Sequence, residues 1–164
     1  MLVNIHVPFY SSYADQFKVN EAMRTNYEPL FLQHSVDIVL SGHVHSYERT
    51  KPVYNYTVDE CGPVHLIVGD GGNLEGMAAT FIDEKPPEYC QNTTLYPNMF
   101  VANPDGKCPG LASTLHNATH ALWEWHKNQV EDSEVSDSVT LVRGNDSQAC
   151  TDARAATGAA ASSG

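Results

Sequence analysis

At 164 residues with 41% hydrophobic content, the chain is long enough for one domain with a buried core, and no apolar run approaches the ~20 residues that cross a bilayer. Its formal net charge of -11, from 20 Asp and Glu against 9 Lys and Arg, opposes binding to nucleic acid or an anionic membrane, because phosphate backbones are gripped by basic side chains that displace counterions. A phosphate-bearing substrate therefore needs another source of positive charge, and a bound metal ion supplies one.

Residues 2–6, LVNIH, make a short apolar run ahead of Pro8 and predict a buried strand. Downstream, Met23, Tyr27, Leu30, Phe31 and His34 recur at helical spacing. Pro29 is expected to break or restart that helix, since it lacks an N–H and crowds the preceding turn. Residues 36–40, VDIVL, predict a second buried strand. Strand, helix, strand is a βαβ unit, so the two strands should run parallel and end on the same rim. Residues 64–68 predict another strand, ending in a glycine turn. In THALWEWHKNQ, Leu122, Glu124 and His126 alternate with Trp123 and Trp125, and residues 139–142 read as a further strand. The fold class is α/β, a βαβ unit followed by mostly antiparallel strands. Residues 73–114, rich in Pro, Asn and Gly, read as one long ordered loop that Cys90 and Cys108 could clamp. Residues 1–150 form the expected folded unit, and the low-complexity residues 151–164 are expected to be a disordered tail.

Four cysteines, Cys61, Cys90, Cys108 and Cys150, include no close C-x-x-C pair, which argues against a zinc knuckle. Four Asn-x-Ser/Thr sequons stand at Asn55, Asn92, Asn117 and Asn145. Even cysteines, sequons and an acidic surface together point to an oxidising, secretory setting with two disulfides. Three pairings are open to four cysteines, and Cys61 or Cys150 could also pair outside the chain. The opening MLVNIHVPFY has no basic start and no long apolar core, so it reads as an internal strand rather than a signal peptide.

His6 falls at the carboxyl end of the first predicted strand, and His43 and His45 just past the end of the second. Ligands of open α/β sheets bind outside those ends. In an extended loop His43 and His45 would point the same way, with Gly42 allowing a tight turn before them. An isolated H-x-H is most often a solvated turn, but His6 on the neighbouring strand makes the three imidazoles a candidate metal site. Two ions roughly 3.5–4 Å apart can polarise a phosphate ester and generate hydroxide between them. His34 reads as a helix-end residue, and His65, His116, His120 and His126 as packed or surface histidines on or beside later strands.

The segments VNIHVPFYSSY, EAMR, VDIVLSGHVHSYERT, VYNYTVDECGPVHLIVGDGGN and NATHALWEWHKNQ together resemble the C-terminal half of a purple acid phosphatase, a calcineurin-like metallophosphoesterase. The resemblance covers most of residues 2–143 and is strongest to the high-molecular-weight plant-type branch, which includes phytate-hydrolysing members. It implies half of a metallophosphoesterase β-sandwich flanked by helices. It also implies His6 and His43 as ligands of a divalent ion (Zn2+, Mn2+ or Fe2+) and His45 as a ligand of Fe3+. His43, Val44 and His45 would border the substrate phosphate. The implied reaction is attack of a metal-bound hydroxide on a phosphomonoester, phytate included. The implied setting is the cell wall, vacuole or exterior, with room for a homodimer.

Two departures stand out. The family's upstream motifs, which supply aspartates, a tyrosine and an asparagine, are absent from these residues, so residues 1–150 are expected to be a partial domain, inactive by themselves. Asp70 in GDGGN superficially matches one of those motifs, but its context belongs to a later segment. Second, Gln16 stands where family members commonly have a histidine that contacts and protonates the substrate, and glutamine has no proton to give near working pH. Asp15, one residue earlier, is the acidic candidate there, against its plainer reading as an exposed turn residue. The competing class is a non-catalytic secreted glycoprotein that keeps the scaffold as a binding module.

Overall fold

The computed structural model describes residues 1–72, 74–78, 80–82, 100–101, 111–115, 119–127, 134–142 and 147–161. Strand β1 (Leu2–Ile5) and strand β2 (Ile38–Ser41) flank helix α1 (Glu21–Gln33) in sequence and pair in parallel, Leu2 opposite Ile38 and Ile5 opposite Ser41. The βαβ expectation holds. The later strands are β3 (Tyr47–Tyr54), β4 (Thr57–Val58), β5 (Val64–Val68), β6 (Phe100–Val101), β7 (Leu111–Leu115), β8 (His120–Lys127) and β9 (Glu134–Val142). One sheet runs in the order β1-β2-β5-β3-β4 with β6 paired to β3, and a second runs β7-β8-β9. β2 and β5 are parallel, and the remaining pairings beyond β1–β2 are antiparallel.

Both faces of the larger sheet are covered, which is why Ile38, Val39 and Leu40 of β2 are apolar in succession rather than alternating with polar residues. Val39 packs with Phe9, Tyr10, Phe31 and Val53 on the α1 side. Ile38 and Leu40 face the other way, into a core of Leu66, Trp123, Trp125 and Leu141 that joins the two sheets. Of the two alternating sides of β8, the tryptophans form the buried one.

α1 departs from its sequence reading. Pro29 lies inside the helix and does not end it. The carbonyl its missing N–H leaves without a donor belongs to Thr25, which is exposed, so water can satisfy it. The spaced apolar residues Met23, Tyr27 and Leu30 are exposed, whereas Arg24 and Glu28 are buried. Those charges are tolerated because they are paired: Arg24 binds Glu28 and Glu21, and Glu28 also accepts from the Tyr10 hydroxyl and the Asn55 N–H.

Residues 73–114 are not one loop, since β6 and most of β7 fall within them. Cys90 and Cys108 lie outside the described residues. Among the described residues, a disulfide joins Cys61 to Cys150. It tethers helix α2 (Gln148–Ala161), which replaces most of the expected disordered tail. Alanine, the best helix former, dominates that segment, and packing against α1 adds what propensity alone does not. Among the described residues, no helix is long and apolar enough to cross a membrane.

Candidate metal centre

His6 follows β1 by one residue and Gly42 follows β2 by one, so the β1–β2 register brings them side by side. The Gly42 N–H donates to the His6 carbonyl at 3.1 Å. The rings of His6 and His43 meet edge to face with centroids 5.1 Å apart and planes at 76°. Both rings line one cleft of about 840 Å³, with His45, Asp15, Gln16 and Glu75 also on its walls.

The H-x-H segment is not extended. The Val44 N–H donates to the Gly42 carbonyl at 2.7 Å and the Ser46 N–H to the Val44 carbonyl at 2.8 Å, two three-residue turns in succession. His43 is the central residue of the first turn, at φ 64°, a left-handed conformation that costs a non-glycine residue about 1–3 kcal/mol and recurs at functional sites. Gly42 is not in the left-handed region, and a β-carbon there would meet His6 Nδ1 at an ordinary 3.9 Å. The glycine the turn requires is Gly69, where a β-carbon would overlap the Val44 carbonyl.

His45 Nδ1 lies 3.1 Å from the Gly76 carbonyl, which can only accept. The proton therefore belongs on Nδ1, and Nε2 keeps the lone pair a metal needs. Glu75 Oε2 stands 3.7 Å from that Nε2. The Val44 side chain is buried against Tyr13 and Ile67, so only its backbone can border a ligand.

Asp15 and Gln16 ride on a single 3-10 turn, Ala14–Gln16. Asp15 is exposed, whereas the Gln16 Oε1 is buried with no hydrogen-bond partner among the described residues. Residues 76–78 and 80–82 stitch this turn to the H-x-H segment. Ala78 N–H donates to the His45 carbonyl at 3.0 Å, Ala14 N–H to Thr80 at 2.9 Å and Ile82 N–H to Ser12 at 2.9 Å, while Tyr13 stacks on Phe81.

Asp70 is buried and accepts from the Trp125 indole at 3.1 Å, so its carboxylate serves the contact between sheets. His34 is the exposed C-cap of α1, and His65 is buried in β5 against Phe9 and Tyr10. His120 and His126 lie on β8, and His116 falls outside the described residues. Asn55 is exposed at the β3–β4 turn, while Asn92, Asn117 and Asn145 are outside the described residues.

Sequence reasoning missed Glu48. It is 4% exposed, and its carboxyl accepts from Ser11 Oγ at 2.9 Å, from the Ser12 N–H at 3.0 Å and from Ser12 Oγ. Burial pushes this carboxyl up to about 7, against the lowering effect of the serine donors. A charged residue in the first turn of a strand gives no local sign of burial, because its partners lie far away in sequence.

Three neutral imidazoles suit a borderline divalent cation, and two carboxylates at the cleft wall supply the charge a cation prefers. Among the described residues, however, no group of three or more His, Cys, Asp and Glu converges closely enough to enclose one ion. The donor chemistry fits a metal held by pairs of side chains in an open site.

No protein-family model matches the chain. Purple acid phosphatase 15 of Arabidopsis thaliana is 36% identical over 166 residues, which cover 87% of this chain and 31% of that protein. Purple acid phosphatase 18 of the same plant is 38% identical over 141 residues, covering 86% of this chain and 30% of that protein. The structure of purple acid phosphatase PPD1 from yellow lupin (Lupinus luteus) seeds matches with a TM-score of 0.64 and 26% identity, over 88% of this chain and 25% of that one. The chain thus spans about a third of the length of these curated relatives. By sequence over most of its length, and by a mixed α/β fold shared with a solved member, the chain belongs to the purple acid phosphatase family.

Proposed function

We propose that the cleft is part of a metal-dependent acid phosphatase site for phosphomonoesters, phytate among them. His6 and His43 hold a divalent ion (Zn2+, Mn2+ or Fe2+), and His45 holds Fe3+. The observation that carries this reading is the edge contact of the His6 and His43 rings in the same cleft as His45. Bound there, the metal pair supplies Lewis acidity toward a phosphate oxygen. The chain's own residues do the rest: the Gly76 carbonyl fixes the tautomer of His45, the backbone of His43–His45 borders the phosphate, and Asp15 offers a proton at the cleft mouth. Residues 1–150 form a partial metallophosphoesterase domain on this reading. Asn55, Asn92, Asn117 and Asn145 carry glycans on a secreted, cell-wall or vacuolar protein, and a homodimer is compatible with the site. Two neighbouring cations repel, and three imidazoles bring no charge to offset that, so the 164 residues alone bind one divalent ion weakly.

A second reading, a non-catalytic secreted glycoprotein that retains the scaffold, draws on the unenclosed donor set and on Gln16. Two experiments decide between them. Zinc titration by calorimetry should show binding that His6→Ala and His43→Ala each abolish and His126→Ala leaves intact. Binding lost in His126→Ala but kept in the other two would overturn the placement. Hydrolysis of a chromogenic phosphomonoester at mildly acidic pH with ferric and zinc ions tests the chemistry, and turnover unchanged by His43→Ala would remove the catalytic claim.

A further inference from the structure

Glu48 is a buried carboxylate that no step of the proposed chemistry uses, yet it joins the two segments on which the site depends. It lies three residues beyond His45, at the start of β3, and opposite Ile67 of β5. Its donors lie on the segment that leads from His6 to the Asp15–Gln16 turn. At Ser11 the Oγ accepts from the Tyr13 N–H at 3.2 Å and donates to Glu48 Oε2 at 2.9 Å. The Ser12 N–H, which can only donate, takes Oε1. One carboxyl thus ties the base of the H-x-H turn to the base of the segment after His6, from the core side of the cleft.

We infer that Glu48 is a positioning residue for the metal site, holding His6 and the His43–His45 turn in one fixed geometry through Ser11 and Ser12. The inference rests on the proposed metal-site reading and adds to it the group that sets the spacing of the imidazoles. Partners that orient metal ligands typically change affinity 10–100-fold when removed. A glutamine at this position keeps an oxygen for the Ser12 N–H and can present its NH2 to Ser11 Oγ, whereas alanine offers nothing.

The test compares the full chain with Glu48→Gln, Glu48→Ala and Ser11→Ala, each checked for folding by circular dichroism. Zinc titration is expected to give an affinity roughly tenfold or more weaker for Glu48→Ala, weaker by less for Ser11→Ala, and within about threefold of the parent for Glu48→Gln. Proton NMR cross-peaks between the His6 and His43 rings should persist in Glu48→Gln and fade in Glu48→Ala. If Glu48→Ala does not fold, Ser11→Ala carries the same comparison. Folded variants that keep both the parent affinity and the ring cross-peaks would overturn the inference, as would equal losses in Glu48→Gln and Glu48→Ala. Should the parent bind no zinc, the metal reading fails, and the ring cross-peaks still decide whether Glu48 sets the imidazole spacing.

Discussion

The carbonyl of Val44 occupies the space that a β-carbon on Gly69 would need. The H-x-H turn is thus backed by the strand end that follows β5, and the glycine is there for close approach of two backbones. Gly69→Ala must push the turn toward the cleft. Zinc affinity should fall about tenfold, by displacement of His43 and His45. Gly62→Ala, whose β-carbon would overlap the Val53 carbonyl, is the control: it should lower thermal stability without altering zinc affinity. Equal zinc affinities for both variants and the parent would show that the turn is not held from behind.

Arg49 grips Asp137 with two bonds of 2.7 Å, and the Tyr47 hydroxyl donates to the same carboxylate at 2.7 Å. Burial works against the Asp137 charge, but these donors outweigh it and hold the carboxyl below its usual range. Asp137→Ala leaves Arg49 buried without its partner, and should cost about 3–5 kcal/mol by urea denaturation. A loss below 1 kcal/mol would mean the two sheets are held by their apolar contact alone.

Stability should be flat in mild acid. Burial pushes Glu48 from 4.5 up to about 7, so its contribution is full below pH 4.5 and is lost as pH rises to about 7. Burial alone pushes His65 from 6.5 down to about 3, so its contribution is present above pH 6.5 and is lost as pH falls toward 3. The two slopes oppose each other between about pH 4.5 and 6.5, which gives a plateau of melting temperature there. Glu48→Gln should convert the plateau into a continuous rise up to pH 6.5, and His65→Phe should blunt the loss on the acid side. A parent melting temperature that climbs steadily from pH 5 to 6.5 would contradict the Glu48 assignment, and one that falls steadily over that range would contradict the His65 assignment.

The Cys61–Cys150 bridge closes a loop across a separation of 89 residues. In the chain-entropy model such a loop is worth roughly 4–5 kcal/mol. Paired Cys61→Ser and Cys150→Ser changes should lower the melting temperature and loosen α2, read as faster amide exchange over residues 150–158. Unchanged exchange would mean that packing on α1 suffices to hold the helix.

Where the sequence was legible, a local pattern sufficed. Apolar runs found β1, β2 and β5, alternation found β8, and the rule that ligands sit at strand ends brought His6, His43 and His45 to one cleft. What it hid depends on partners distant in sequence. β3 carries Glu48 and Arg49 into the interior, and only Ser11, Ser12 and Asp137 make that burial tolerable. The spaced apolar residues of α1 marked a helix but not its inward side, because Arg24 and Glu28 find their partners in the core. Alanine-rich composition resembled disorder until a cysteine bridge and a neighbouring helix gave it a surface to lie on.

The same bridge makes a covalent ring of everything between Cys61 and Cys150, including all three strands of the second sheet and the described residues around Gly69, Gly76 and Ala78 that brace the cleft. A protease that nicks the chain once anywhere inside that ring separates nothing, and both flanks travel as a single molecule until a reductant reaches the sulfurs. On a denaturing gel, one cut there should show itself only after thiol is added.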